Sequence, residues 1–487
     1  MNVTRHTRSL LLASAVLIAG PTACRRSPAQ GSVFIAEWVH ALYGAIRVER
    51  LSPPVASRIT AYAAMALYAG VAASDDDLAP LHGIVRGMPP LPVSPDAGTL
   101  DATIVAMTAE RVVLDSLFGD ALPATRAALT RMTDSLIAVR TAGGVTPAAQ
   151  ARSAAAGTAI GAGIVAWSKT DGFAGTRRVY VAPEGVGLWR NDSPASLYST
   201  QNMSGASEFI ALDNPNNAQR SSNTSDRGLI LSKPKDSRVK SLPAVNMAGA
   251  TEPYWREIRP FTLDSWNACP IADPPRYSTE PTSILYGLAR AVYETSRQLA
   301  PEQKAIALFW ADNAGETGTP VGHWLSIAGQ MIGERQLAVG DAATLVLATS
   351  LSQADAFIAA WGYKYQFNLV RPRMYIRRVI DSTWEPLIPT PPFPEYPAGH
   401  STQSAAAATV MTALLGSLPF ADSTSVSLGH AVRTFPSFLA ASAEAGMSRI
   451  YGGIHFPAGD TNGAVLGACV GDRVMQRIRA ASRTPSS

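Results

Sequence analysis

Apolar residues recur at spacings of three and four along most of this chain, and the strict alternation that marks a strand is scarce. In 55–71, Val55, Ile59, Tyr62, Met65 and Tyr68 would line one buried helix face, and Pro53 and Pro54 sit where proline suits a helix start. The same pattern runs through 102–118, 124–140, 148–167 and 283–299. Another helix starts at Pro301, with Glu302 favourable in its first turn. Such a chain must bury helix faces against other helices, so the expected fold class is all-α, built as two helical bundles. With 47% apolar and 16% charged residues, there is ample material for a core.

The middle differs. Residues 175–280 are rich in Pro, Asn, Ser and Gly, most polar at Asn216–Asp226, and read as an irregular surface excursion or connection. The expected organisation is an export signal over 1–23, an N-terminal helical domain over 24–174, the connection over 175–280, and a C-terminal helical domain over 281–487.

Arg5 and Arg8 precede an apolar run from Leu10 to Gly20, too short to cross a bilayer and placed as in a signal peptide. The run ends at Pro21-Thr22-Ala23-Cys24, which resembles a bacterial lipoprotein cleavage site with Cys24 as the lipid carrier. Pro21 departs from the usual aliphatic residue, so ordinary cleavage nearby is the alternative. The expected location is therefore outside the cytoplasm, periplasmic or lipid-anchored to a bacterial envelope. A possible N-terminal lipid would be the one membrane contact, because the small-residue runs 153–167 and 401–421 suit closely packed helices better than membrane spans. The formal charge of +4 lacks the dense basic face of a nucleic-acid binder. Of three cysteines, Cys269 and Cys469 remain to pair if the fold brings their Cα atoms close enough.

Three motifs follow in order in the C-terminal half. The first is Lys364-x6-Arg371-Pro372, where a spacing of seven would set both cations on one helix face, and the proline ends that helix and pushes Arg371 towards extended backbone. The second is Pro397-Ala398-Gly399-His400, followed by a helix-compatible run that stops at Gly416. A glycine there lets backbone N–H groups approach an anion at the helix N-terminus, with His400 beside it as a proton donor. The third is Ser448-Arg449-x5-His455, which adds a third cation and a second histidine. Lys364, Arg371 and Arg449 together suit a highly charged tetrahedral oxyanion, with His400 and His455 on opposite sides of it.

This ordered set resembles the vanadium-dependent haloperoxidase and type 2 phosphatidic acid phosphatase superfamily, over about Trp361 to Asp460. The resemblance implies that Lys364, Arg371 and Arg449 bind vanadate or phosphate oxygens and that the Gly399 backbone donates to the same group. It implies that His455 is the vanadium ligand, or the phosphatase nucleophile, and that His400 is the acid–base group. Trp361 and Phe393 match aromatic positions beside the halide site of chloroperoxidase-like members. Two departures stand out. Ala398 replaces the usual serine and removes one hydroxyl donor, and the acid that normally follows the last histidine by four places comes at Asp460, one later.

The expected function is vanadate-dependent oxidation of halide by hydrogen peroxide, with Lys364 polarising bound peroxide and vanadate as the cofactor. One alternative is phosphate-ester hydrolysis through a phosphohistidine at His455. Another is a lipoprotein that only binds oxyanions. Among the other histidines, His323 follows Asp312 and Glu316 and is a candidate for lining a cleft; His40, His82 and His430 read as packing or surface.

Overall fold

The structure, a computed structural model, describes residues 31–92, 99–191, 200–202, 206–208 and 250–482. The export segment, Cys24 and the polar run 216–226 lie outside the described residues. The fold is all-α. In the first half, helices are α1 (Val33–Val48), α2 (Pro53–Ala72), α3 (Leu81–Ile84), α4 (Ala102–Leu117), α5 (Pro123–Ala142) and α6 (Pro147–Ser168). In the second they are α7 (Ile284–Arg297), α8 (Pro301–Phe309), α9 (Thr319–Arg335), α10 (Val339–Phe367), α11 (Pro372–Val379), α12 (Gly399–Leu415), α13 (Phe438–Tyr451) and α14 (Pro457–Ala481). Two short antiparallel pairs accompany them: β1 (Thr200–Asn202) with β2 (Ala206–Glu208), and β3 (Phe420–Asp422) with β4 (Arg433–Phe435).

Two helices form the interior. The Ser52 hydroxyl caps α2 by accepting from the Val55 amide, with Pro53 and Pro54 in the first turn. α2 packs on α4 and on α10, and α10 packs in turn on α12 and α14, so one apolar core runs from Trp38 and Met65 through Phe357 to Val470. By length and composition α2 and α10 are apolar enough to cross a membrane, yet protein covers nearly all of each. Their uniform hydrophobicity reflects burial on every side.

The small-residue stretches are sites of close backbone approach. A Cβ built on Gly463 of α14 would lie 2.7 Å from the Ala398 carbonyl oxygen, and one on Gly471 would lie 2.9 Å from that of Ala406. These glycines let α14 lie directly against α12, whose first turn carries His400. In the Ala/Gly-rich α6, a Cβ on Gly161 would meet the Ala109 carbonyl of α4 at 2.8 Å.

The described parts of 175–280 are irregular but firmly held. The buried Asp355 carboxylate on α10 accepts from the amides of Phe261 (2.7 Å), Thr262 (2.8 Å) and Leu263 (3.2 Å), and from the Thr262 hydroxyl (2.6 Å). Trp189, Trp255 and Phe261 are buried. Cys269, in the second irregular stretch, forms a disulfide with Cys469 of α14, with Cα atoms 5.9 Å apart. That bond closes a span of 200 residues. Replacing Cys469 by serine is expected to lower unfolding free energy by about 2–4 kcal/mol. Calorimetry of the two proteins, with and without reductant, measures this, and reductant should shift only the parent.

Candidate active site

α10 does not carry both cations of the first motif. It ends at Phe367, where Asn368 turns left-handed (φ 49°), and Arg371 lies beyond in extended backbone at the N-terminus of α11. The expectation of one shared helix face is corrected here, because the helix stops before Arg371 and Pro372 opens a new one; Arg371 itself is extended, as a residue before proline is expected to be. Lys364 and Arg371 still converge, from either side of the left-handed turn at Asn368.

They converge on one loop. The Lys364 Nζ donates to the carbonyls of Pro394 and Glu395, each at 3.0 Å, and to that of Pro397. Arg371 donates through Nε to the Phe393 carbonyl (2.7 Å) and through Nη1 to that of Ile454 (2.9 Å). The Phe393 ring lies between the two cations, 5.1 Å from the Lys364 Nζ and 4.7 Å from the Arg371 guanidinium carbon. Burial, then the Arg371 charge, push Lys364 well below the ordinary lysine range. Three carbonyl acceptors nonetheless match the three N–H groups of an ammonium, whereas a neutral amine has two, so the charged form fits the geometry.

The loop positions two further groups. The Tyr396–Pro397 peptide is cis. Ala398 then anchors the start of α12 by donating to the Gly459 carbonyl at 2.9 Å. Glu395, wholly buried, accepts at one oxygen from His455 Nδ1 (2.8 Å) and from the Phe456 amide (2.9 Å). With Nδ1 protonated, His455 presents the lone pair of Nε2, which lies 3.2 Å from Arg371 Nη1. Burial raises Glu395 to about 7, against the opposing pull of Lys364 and the Phe456 amide. The bonded oxygen accepts in either protonation state. Asp460 does not touch His455: it accepts from the Ser401 hydroxyl at 2.6 Å and ties α14 to α12.

A narrow pocket opens beside these groups, and His400, His455, Arg449, Gly399, Trp361 and Phe393 all line it. Lys364 and Arg371 stand behind its wall. Arg449 donates to the Trp310 carbonyl. The Trp361 and Phe393 rings lie 4.8 Å apart, with Phe357 at 5.1 Å from Trp361, so one wall is aromatic. His400 Nε2 has no hydrogen bond, and Asp312 Oδ2 is 3.8 Å from it. Burial, then neighbouring cations, push both histidines well below the ordinary range: Arg371 leads for His455 and Arg449 for His400. Both rings are therefore neutral at pH 7.

Sequence reasoning missed Glu395, although it is the lone acid in the apolar, proline-rich run from 386 to 399. It also missed Asp422 and Trp310, which reach the site only through tertiary packing. His323, the cleft candidate, is wholly buried behind Asp312 and does not line the pocket.

Two outcomes follow. Arg449→Ala removes a charged donor from the pocket and is expected to weaken binding of inorganic phosphate or vanadate about 10–100-fold by calorimetric titration. Neutral His400 and His455 take up protons in the unfolded chain before the folded one. Their contribution to stability is complete above about pH 6.5 and lost below it, so the melting temperature falls on acidification. His455→Asn is expected to flatten that acid limb in thermal scans.

Residues 344–483 match the family model of the VCPO second helical-bundle domain. Among solved structures the chain is similar to a bacterial vanadium-dependent iodoperoxidase, at 29% identity and a TM-score of 0.74 over 91% of this chain and 95% of that one. It shares its fold with a bacterial vanadium-dependent chloroperoxidase. The holo-type structure has 17% identity and a TM-score of 0.56, over 96% of this chain and 95% of that one. The apo-type structure has 16% identity and a TM-score of 0.56, over 90% of this chain and 95% of that one. No curated protein matches the sequence. With its helical core, the bundle domain matched over 344–483 and the 29% identical structure over 91% of its length, the chain is a vanadium haloperoxidase-like protein.

Proposed function

We propose that the protein is a vanadate-dependent haloperoxidase that oxidises halide with hydrogen peroxide to a hypohalous species. The observation that carries this reading is the placement of His455, tethered at Nδ1 by Glu395 so that Nε2, 3.2 Å from Arg371 Nη1, is the ring atom left to bind a ligand beside a pocket lined by Arg449 and His400. Similarity to a bacterial vanadium-dependent iodoperoxidase supports it.

The donor set fits a tetrahedral oxyanion. His400 Nε2 is a buried polar atom without a hydrogen bond at the pocket, and Gly399, the first residue of α12, lines the same pocket. When bound, vanadate would supply a Lewis-acidic centre able to activate peroxide. His455 would hold it through Nε2, while Arg449 and the Gly399 amide would neutralise its oxygens. Lys364 and Arg371 would add positive potential from behind the wall, fixed in place before any ligand arrives. His400 would take or return a proton at Nε2. Trp361, Phe393 and Phe357 would keep water from the halide side. An oxyanion in the pocket would also offset the cations that depress both histidines, raising their affinity for protons. We place the protein in the periplasm or at the bacterial envelope, a setting that the Cys269–Cys469 disulfide supports.

The test is to purify the full chain with orthovanadate and assay peroxide-dependent halogenation of a phenolic dye, with phosphate-ester hydrolysis measured in vanadate-free protein. Halogenation that depends on vanadate and is abolished in His455→Ala is expected. Phosphatase activity with no halogenation at saturating vanadate would overturn the reading in favour of the ester hydrolase.

A further inference from the structure

Behind His400 lies a cluster that the proposed chemistry does not use. His323, on α9, has no exposed surface and sits between two carboxylates. Its Nδ1 is 2.9 and 3.1 Å from the two oxygens of Asp312, and its Nε2 is 2.8 Å from Asp422 Oδ2 on β3. The ring stacks on Trp310 with centroids 4.4 Å apart and planes 16° from parallel. A neutral imidazole has one N–H and cannot donate to a carboxylate at each nitrogen, whereas an imidazolium can.

We propose that His323 is a positioning residue: a buried imidazolium, clamped by Asp422, that holds Asp312 with one oxygen turned towards His400. The role rests on the acid–base function proposed for His400. Asp312, His323 and Asp422 then carry one net negative charge. Without the imidazolium, two buried carboxylates would face each other across the cavity it leaves, and Asp312 would lose the bond that sets its plane. The remaining charged or titratable neighbours are few. Tyr43 of α1 lies near both carboxylates, Glu444 accepts from the Trp310 indole at 3.0 Å, and Arg449 donates to the Trp310 carbonyl. Burial opposes the His323 charge, but Asp312 and Asp422 outweigh it and raise the ring to about 10. Asp422 is further fixed by the Thr424 amide at 2.9 Å, so the hairpin of β3 and β4 becomes part of the site without lining the pocket. Among the described residues no group of three His, Cys, Asp or Glu side chains is arranged to hold a metal ion.

The test uses the full chain with 15N-labelled histidine, the His323 signals being assigned by their loss in His323→Gln. In the parent, both ring nitrogens should stay protonated from about pH 6 to about pH 9, and in Asp422→Asn the ring should lose a proton within that range. Asp422→Asn should also lower the kcat of vanadate-dependent halogenation about 10–100-fold, with KM and vanadate affinity near those of the parent. A parent His323 with one unprotonated nitrogen at neutral pH overturns the proposal, as does an Asp422→Asn protein whose kcat stays within roughly twofold of the parent. If the parent shows no halogenation at all, the haloperoxidase reading fails, while the nitrogen signals still decide the state of His323.

Discussion

The grip of two buried cations on one proline-rich loop underlies the rest of the site. Lys364 and Arg371 come from either side of the left-handed turn at Asn368 and donate to the carbonyls of Phe393, Pro394, Glu395 and Pro397. Burying two positive charges side by side is costly. The carbonyl dipoles, the carboxyl of Glu395 and the π face of Phe393 offset that cost together. The loop so held places Phe393 on the pocket wall, Glu395 beneath His455 and the first turn of α12 at the pocket floor. Loss of either cation would disturb all three at once.

The two pocket histidines differ in the carboxylate that each one meets. His455 faces the cations and is held neutral, with its proton directed to Glu395 and its lone pair outward. His400 faces Asp312, which is backed by His323 and Asp422. Both histidines are held low by burial and nearby cations, and they differ in their carboxylates: His455 is bonded to Glu395, whereas His400 has Asp312 at 3.8 Å without a hydrogen bond, which suits one to bind and the other to move protons. The division depends on hydrogen bonds made by side chains that never reach the pocket.

Much of this was legible in the chain itself. The helix over 53–72 was marked by its apolar face and leading prolines, and α12 by a glycine at each end. The second and third motifs named residues that line the pocket, Gly399, His400, Arg449 and His455, and the first named the two cations behind its wall. Ala398 and the displaced Asp460 signalled that part of the expected hydrogen bonding would differ, and it does: Asp460 bonds to Ser401, and Glu395 orients His455. The one-face reading of Lys364 and Arg371 failed because spacing alone cannot reveal the left-handed turn at Asn368.

What the sequence by itself determined is the helical class, the placement of most helices and the set of side chains able to form an oxyanion site. Those follow from periodicity, capping and residue chemistry, which act over a few residues. Only the tertiary structure decided that Cys269 meets Cys469, that Asp355 captures the irregular segment, and that Asp312, His323 and Asp422 align behind His400. Each of these joins residues far apart in the chain, and their meeting is set by how closely glycine-lined helices pack. No local pattern records that distance.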